Sequence, residues 1–469
     1  MGHGYSTNVN QGVLSAQYRR KNTKMEESIA PKYILTAHQQ LAYDKLVKFA
    51  SSNDSYFGLC GYAGCGKSVL LSQFLNVELA SKHWIQFLAT APTNKAVAVI
   101  AKFLGIGCMT IYSALNLVMK QDEDQLVISH HDNFNKYARL QEMVASSRCV
   151  IIAIDESSMN NSSLVDYIEE TVSIFGNSIK YVFVGDPAQL PPVGEEKSRC
   201  WGLPEQHNRA MLKEVIRYDN ALLNLATRVR LDLVNRQYGT DVFADNDGRE
   251  GVWVTKDRAK FQAHIAAKFK DDPENNKIIA WRNKVVNHYN TIVRQSLGHV
   301  DEFVVGETIS IGEPVEIGGT IVATTEEEVI IESIRNESIS NDLGQSFPVL
   351  ELGVRTKNPT PSTRFEFFNL KVALDPNSIT DELNRLSRIA KKAPPHEKKY
   401  KWGAFWSMKK QINLVKPFYS LTSHRSQGST FTSIWVDLSD IRSNQKKDEM
   451  MSCFYTTITR ATTRIFVLV

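Results

Sequence analysis

Cysteine is scarce and scattered in this chain of 469 residues. The six (Cys60, Cys65, Cys108, Cys149, Cys200 and Cys453) form no Cys-x-x-Cys pair. That spacing argues against a zinc site and a disulfide framework, and it fits a reducing cytosol. Long apolar runs are also missing. None approaches 18 residues, so no membrane-spanning helix and no membrane partner are expected. The N-terminus is polar and lacks the apolar core of a secretory signal, so a cytoplasmic location is expected. Neither sign of charge dominates, with 55 Lys and Arg against 51 Asp and Glu. A net charge of +4 permits nucleic-acid binding without arguing for it. No internal repeat is visible.

What is present is enough apolar residue, 42%, for well-formed cores, in a chain long enough for two to four domains. The most informative stretch is Gly61-Tyr62-Ala63-Gly64-Cys65-Gly66-Lys67-Ser68. It fits G-x-x-x-x-G-K-[ST], the phosphate-binding loop. Its glycines let several backbone N–H groups converge on one phosphate chain. Lys67 adds a positive charge for the β- and γ-phosphates, and Ser68 offers a hydroxyl to Mg²⁺. Residues 56–60 before it read as a strand, and 68–79 after it show helical spacing from Val69 onward. Strand, turn and helix N-terminus make the required anion site. A bound nucleoside triphosphate is expected.

Residues 1–30 are polar with little periodicity and read as a disordered extension. From 31 to 215, apolar strands (85–91, 149–154, 180–184) alternate with helical segments. This pattern predicts an α/β fold with a parallel sheet covered on both faces. Within it, the polar stretch 116–147 reads as an inserted hairpin or small subdomain. A second α/β region is expected over 216–302 and 413–469, with strands at 277–281 and 433–437. Between its halves, 303–356 alternates with period two and reads as barrel-like β structure. Residues 357–412 read as loop and helix, and their basic run 391–401 as a solvated face.

Two strand ends carry chemistry. Residues 151–154 are apolar and lead into Asp155-Glu156, where ligands of open α/β sheets bind. Asp155 is placed to hold Mg²⁺, and Glu156 to orient and deprotonate an attacking water. The next strand leads into Gly185-Asp186-Pro187-Ala188-Gln189, whose Gln189 is placed to meet a γ-phosphate or that water.

These stretches (GYAGCGKS, ATAPTNKA, DESSM, VGDPAQLPPVGE) resemble motifs I, Ia, II and III of superfamily 1 DNA helicases. The other motifs follow in order. LTAHQ at 35–39 resembles the Q-motif, TIYSAL at 110–115 motif Ib, and LKEVIR at 212–217 motif IV. YSLTSHRSQGST at 419–430 resembles motif V, and YTTITRA at 455–461 motif VI. Relatives often carry His where Tyr112 stands. The likeness runs from about Leu35 to the C-terminus and is greatest to the RecD-like branch and its Dda-like phage group.

The resemblance implies two RecA-like P-loop domains, an inserted pin at 116–147 and an SH3-like insertion within 303–412. It implies an enzyme that hydrolyses ATP with Mg²⁺, walks 5′-to-3′ on single-stranded DNA and opens forked DNA. It would act as a monomer, beside a single-strand-binding protein and other replication or recombination proteins. Lys67, Glu156 and Gln189 would act with Arg217 and Arg460, arginine fingers from the second domain. Gln39 would read the adenine edge. Gly61, Ala63, Gly64, Cys65, Gly66, Ser68, Val69, Gln427 and Gly428 would line the nucleotide. Pro92, Thr93, Asn94, His424, Ser429 and Thr430 would hold DNA phosphates. Tyr112 would stack on a base or pack in the core. Trp281 with Asn283 would form a stacking platform and phosphate clamp, or Trp281 would be a buried strand end. Phe134 is a candidate for the pin tip. Three rival functions keep part of the pattern: a translocase that leaves strands paired, an RNA helicase, and a nucleotide-binding module that is no motor.

Overall fold

A computed structural model describes residues 34–122, 125–130, 136–215, 221–239, 241–317, 320–357, 359 and 365–469. The expected N-terminal extension up to residue 30, the proposed tip Phe134 and the proposed finger Arg217 lie outside them.

The first half is built on eight strands: β1 (Tyr56–Gly61), β2 (Ile85–Ala91), β3 (Met109–Thr110), β4 (Leu117–Asp122), β5 (Gln125–His130), β6 (Cys149–Ile154), β7 (Ile179–Gly185) and β8 (Arg209–Leu212). Six of them form one sheet in the order β3-β2-β6-β7-β1-β8, and every pairing is parallel. All residues of β6 and β7 are buried, as continuous apolar strands between two helical layers must be. One layer packs Leu46, Leu70, Leu71 and Ile100 on the sheet. The other packs Leu140, Leu164, Val165 and Ile168. The remaining two strands, β4 and β5, pair as an antiparallel hairpin within the polar stretch. The following helix Ala138–Ser146 returns to the core through Leu140.

The second half holds β9 (Asp245–Asn246), β10 (Gly251–Thr255), β11 (Asn276–Ala280), β19 (Ser420–Thr422), β20 (Phe431–Asp437) and β21 (Ala461–Leu468). Their order is β19-β11-β20-β21-β10-β9, parallel except for β9. Five strands of each sheet share one topology, with β2 matching β11 and β6 matching β20, while the edge strands β8 and β9 differ in direction and place in the chain. The chain therefore repeats itself in fold, although no repeat is legible in its residues.

Between β11 and β19 lie β12 (Thr308–Ile311), β13 (Val315–Ile317), β14 (Thr320–Ala323), β15 (Glu328–Ser340), β16 (Ser346–Thr356), β17 (Phe367–Ala373) and β18 (Val415–Pro417). Five of these form an antiparallel sheet, β17-β16-β15-β12-β18. The β13–β14 hairpin joins its core through Val315, Val322 and Ala323. The far ends of β15 and β16 pack on helices Pro376–Lys392 and Pro395–Lys410, around Ile339, Phe347, Trp402, Phe405 and Trp406. No helix among the described residues is long and apolar enough to cross a membrane.

Candidate active site and nucleic-acid face

β1 feeds the phosphate-binding loop, and helix Lys67–Gln73 leaves it. Gly64 and Gly66 take φ values of +80° and +79°, which glycine adopts without a Cβ penalty. Gly61 is needed for a different reason. A Cβ there would fall 2.5 Å from Cys65 Sγ and 2.9 Å from Leu212 Cβ. Cys65 is a packing residue under the loop, and burial pushes its thiol pKa up. Lys67 Nζ donates to the Gly61 and Tyr62 carbonyls, both at 2.9 Å. Its ammonium thus lies along the loop, where it would exchange carbonyls for phosphate oxygens. Ala63, Ser68 and Val69 are partly exposed around it.

Gln39 departs from expectation. It is buried, its Nε2 donates to Cys65 O at 3.2 Å, and its Oε1 accepts from Thr36 N at 3.0 Å. The second bond belongs to a capping box that starts helix Ala37–Ser51. In this conformation Gln39 ties that helix to the phosphate loop instead of offering its amide to a base.

Asp155 follows β6, and its Oδ1 accepts from Glu156 N at 2.9 Å. Burial and the neighbouring Glu156 carboxylate push its pKa up to about 7, while Lys67 opposes the rise. A carboxylate so short of compensating charge suits a divalent cation. With the Ser68 hydroxyl it would supply hard oxygen donors of the kind Mg²⁺ takes alongside nucleotide phosphates. Among the described residues no group of three His, Cys, Asp or Glu side chains is placed to hold a metal, so phosphates and water would complete the shell. Glu156 sits at φ +51°, a strained backbone region for a non-glycine residue that is often met at functional sites.

The Gln189 segment joins the two halves. Ser158 Oγ donates to Asp186 O at 2.7 Å. Ala188 N donates to Asp186 Oδ1 at 3.1 Å, and Gln189 N to Asp186 O at 3.0 Å. Leu190 is fully buried in the core of the second half. Its N–H donates to Thr456 Oγ1 at 2.9 Å, and its carbonyl accepts from Gln427 Nε2 at 3.0 Å. Gln427 therefore contacts this segment's backbone rather than the phosphate loop. Gly428, at φ +72°, comes close to Ala96 of the first half. Gln189 itself is buried, and its Oε1 has no hydrogen-bond partner. Such an orphan acceptor fits a group that accepts a hydrogen bond from water or substrate.

Arg460 is buried and bonded within its own half. Its Nε donates to Thr456 O, Nη1 to Ser429 O and Nη2 to Thr459 Oγ1, at 3.0, 3.3 and 3.1 Å. The described arginine that meets the phosphate loop is Arg230, which the sequence reading missed. Its Cζ lies 4.2 Å from the Tyr62 ring centroid, and its Nη2 donates to Asp186 Oδ1 at 2.9 Å. The available signal was an arginine following the buried apolar positions 222, 225 and 229 of helix Ala221–Val234. A buried guanidinium needs a carboxylate partner.

The proposed DNA contacts also follow strand C-termini, beside the end of β6 that bears Asp155 in the first half. The repeated topology places Ala91-Pro92-Thr93-Asn94-Lys95 after β2 and Ala280-Trp281-Arg282-Asn283-Lys284 after β11. Each opens a helix, Asn94–Leu104 and Asn283–Ser296, whose first N–H groups suit a phosphate. Thr93 Oγ1 caps the first by accepting from Ala96 N at 3.2 Å, and Pro92 is buried. At the second, Asp440 Oδ2 accepts from Trp281 N and Arg282 N, at 2.7 and 3.0 Å. Trp281 is half-buried against the core while Asn94 and Asn283 are exposed. Tyr112 is also half-buried on the core. Burial lowers the pKa of His424, so it would meet DNA as a neutral imidazole. Thr430 is exposed; Ser429 is buried, and its hydroxyl lacks a partner.

Residues 35–239 match the family described as an AAA domain. The chain is 24% identical to the uncharacterized protein R530 of Acanthamoeba polyphaga mimivirus, over 91% of this chain and 98% of that one. It is 25% identical to the ATP-dependent DNA helicase dda of Enterobacteria phage T4, over 84% and 90%. A shorter segment is 26% identical to the ATP-dependent DNA helicase PIF1 of Saccharomyces cerevisiae, over 33% of this chain and 18% of that one. The chain is thus similar to ATP-dependent DNA helicases, along most of its length to the T4 dda protein and in one segment to PIF1.

Proposed function

We propose that this protein is an ATP-dependent DNA helicase that moves 5′-to-3′ on single-stranded DNA and opens forked duplexes. The observation that carries the reading is the Gln189 segment. It leaves the sheet that bears Lys67 and Asp155, and its Leu190 is held by Gln427 and Thr456 of the other half. A change at the triphosphate is thereby tied to the relative position of the two halves, which a motor needs.

In hydrolysis, Glu156 takes the proton of the attacking water as the bond to the γ-phosphoryl group breaks and ADP leaves. Lys67 holds the β- and γ-oxygens, and Gln189 Oε1 orients the water. Mg²⁺, held by Ser68 and Asp155, would neutralise phosphate charge. Arg217 and Arg460 are proposed to approach the γ-phosphate on closure, and arginines in that role are worth about 10³–10⁵ in rate. For Arg460 this requires release of its bonds to Thr456 O, Ser429 O and Thr459 Oγ1. The β4–β5 hairpin is proposed as the pin that separates strands, and the β12–β18 region as an SH3-like insertion that guides DNA. A role in phage DNA replication, recombination or repair is proposed, and the T4 and mimivirus relatives supply only the viral link.

Forked duplexes with either a 5′ or a 3′ single-stranded tail, with and without ATP, test activity and polarity together. Unwinding of the 5′-tailed fork with ATP is expected. Hydrolysis stimulated by single-stranded DNA without strand separation would leave a translocase. Stimulation by RNA but not by matched DNA would overturn the substrate.

A further inference from the structure

Arg230 carries an inference beyond the motifs. It is 6% exposed, and its partner Asp186 1%. Asp186 Oδ1 accepts from Arg230 Nη2 at 2.9 Å, and Oδ2 from Tyr455 OH at 2.6 Å. The guanidinium faces the Tyr62 ring at 4.2 Å and the Tyr455 ring at 5.9 Å. Arg230 Nε is buried without a hydrogen-bond partner. The small cleft beside it is lined by Tyr62, Ala63, Arg230, Tyr455 and Thr459 among others. One side chain of the second half thus touches the residue after Gly61 and the carboxylate that shapes the turn before Gln189.

We propose that Arg230 is a positioning residue that makes the placement of Gln189 depend on contact between the two halves. Asp186 sets the turn by accepting from Ala188 N, and Arg230 fixes Asp186 from the second half. When the halves separate, Asp186 loses the guanidinium and the Tyr455 hydroxyl together, and the turn is free to shift. When they close, the turn and the Tyr62 side of the phosphate loop are set by one planar group. Lysine would keep the charge but neither the fork nor the stacking plane.

The inference rests on the DNA-motor reading, and its test separates the two. Arg230→Gln, Arg230→Lys, Asp186→Asn and the double variant Arg230→Gln/Asp186→Asn are compared with wild type. The first readout is the ratio of ATP turnover with single-stranded DNA to turnover without it, which does not depend on the active fraction. The second needs no DNA: the rise in Tm produced by a non-hydrolysable ATP analogue with Mg²⁺. Arg230→Gln should lower the ratio about tenfold, within the range by which residues away from ligands alter coupling. It should also reduce the analogue-induced rise. Arg230→Lys should recover part of both. Arg230→Gln leaves Asp186 buried and unpaired, and that alone lowers Tm. The double variant removes both charges, so it should regain Tm while the ratio stays low. A double variant with a wild-type ratio and analogue response would show that Arg230 only neutralises a buried charge, and the proposal would fall. Absence of DNA stimulation in wild type would count against the motor reading alone, because the analogue response still decides the role of Arg230.

Discussion

At the residue scale, Glu156 and Lys67 can be separated by experiment. Glu156→Gln keeps the size and shape of the side chain but removes the base. Turnover should fall about 10²–10⁴-fold while ATP still binds, and near-wild-type turnover would remove the general-base role. Lys67→Ala removes a charge that is stronger on the transferring phosphoryl group than on bound substrate. Turnover should fall by at least about 10²–10³-fold. Steady-state hydrolysis together with a fluorescent-nucleotide binding assay distinguishes the two losses. The residues named here were legible because local backbone dictates their spacing. A phosphate loop must place its Lys and Ser a fixed number of residues after its glycines. Arg230 was not legible, because its partner Asp186 lies 44 positions away and only the fold brings them together. Gln39 was legible as a motif but not as a tie to Cys65 O, since a capping glutamine and a base-reading glutamine have the same sequence.

At the element scale, the hairpin is held at its base by aromatic contacts. His130 meets the Tyr137 and Tyr167 rings edge-on, with centroids at 4.6 and 5.1 Å. Tyr167 OH donates to Ile128 O at 3.2 Å, and Tyr137 OH to Glu170 Oε2 at 2.7 Å. Tyr137 is buried in the core, so removing it would damage the domain as well as the hairpin. A clean truncation replaces 120–127 by a two-residue turn and spares 128–137. It should abolish unwinding of a forked duplex while DNA-stimulated hydrolysis stays within about twofold of wild type. Unwinding that survived would refute the pin assignment. The parallel strands and this hairpin could be foreseen from apolar runs and a polar interruption. β17 could not. Phe368 and Leu370 alternate inward as a strand requires, but Phe367 is exposed beside them. An edge strand with an outward aromatic does not stand out beside a stretch read as loop and helix. The far ends of β15 and β16 are hard to read for a related reason. They bury Ile339 and Phe347 against helices that come later in the chain.

At the scale of the whole molecule, the two halves meet through a few buried hydrogen bonds, and one of them can be removed almost without changing shape. Thr456 and Leu190 are both fully buried, and Thr456 Oγ1 is the acceptor for Leu190 N. Thr456→Val keeps the volume and leaves that N–H without a partner, at a cost of about 1–3 kcal/mol. The same hydroxyl serves no phosphate and no DNA group in the mechanism above, so the chemistry of the site should remain intact. If the halves work only as a closed pair, the cost appears as weaker closure. The midpoint of denaturant unfolding should fall, and a non-hydrolysable ATP analogue should recover part of it, because a ligand bound by both halves favours the closed form. DNA-stimulated turnover should fall more than turnover without DNA. A lower midpoint with equal loss in both activities would mean that the seam only holds the fold together, and that ATP reaches the DNA face by another route.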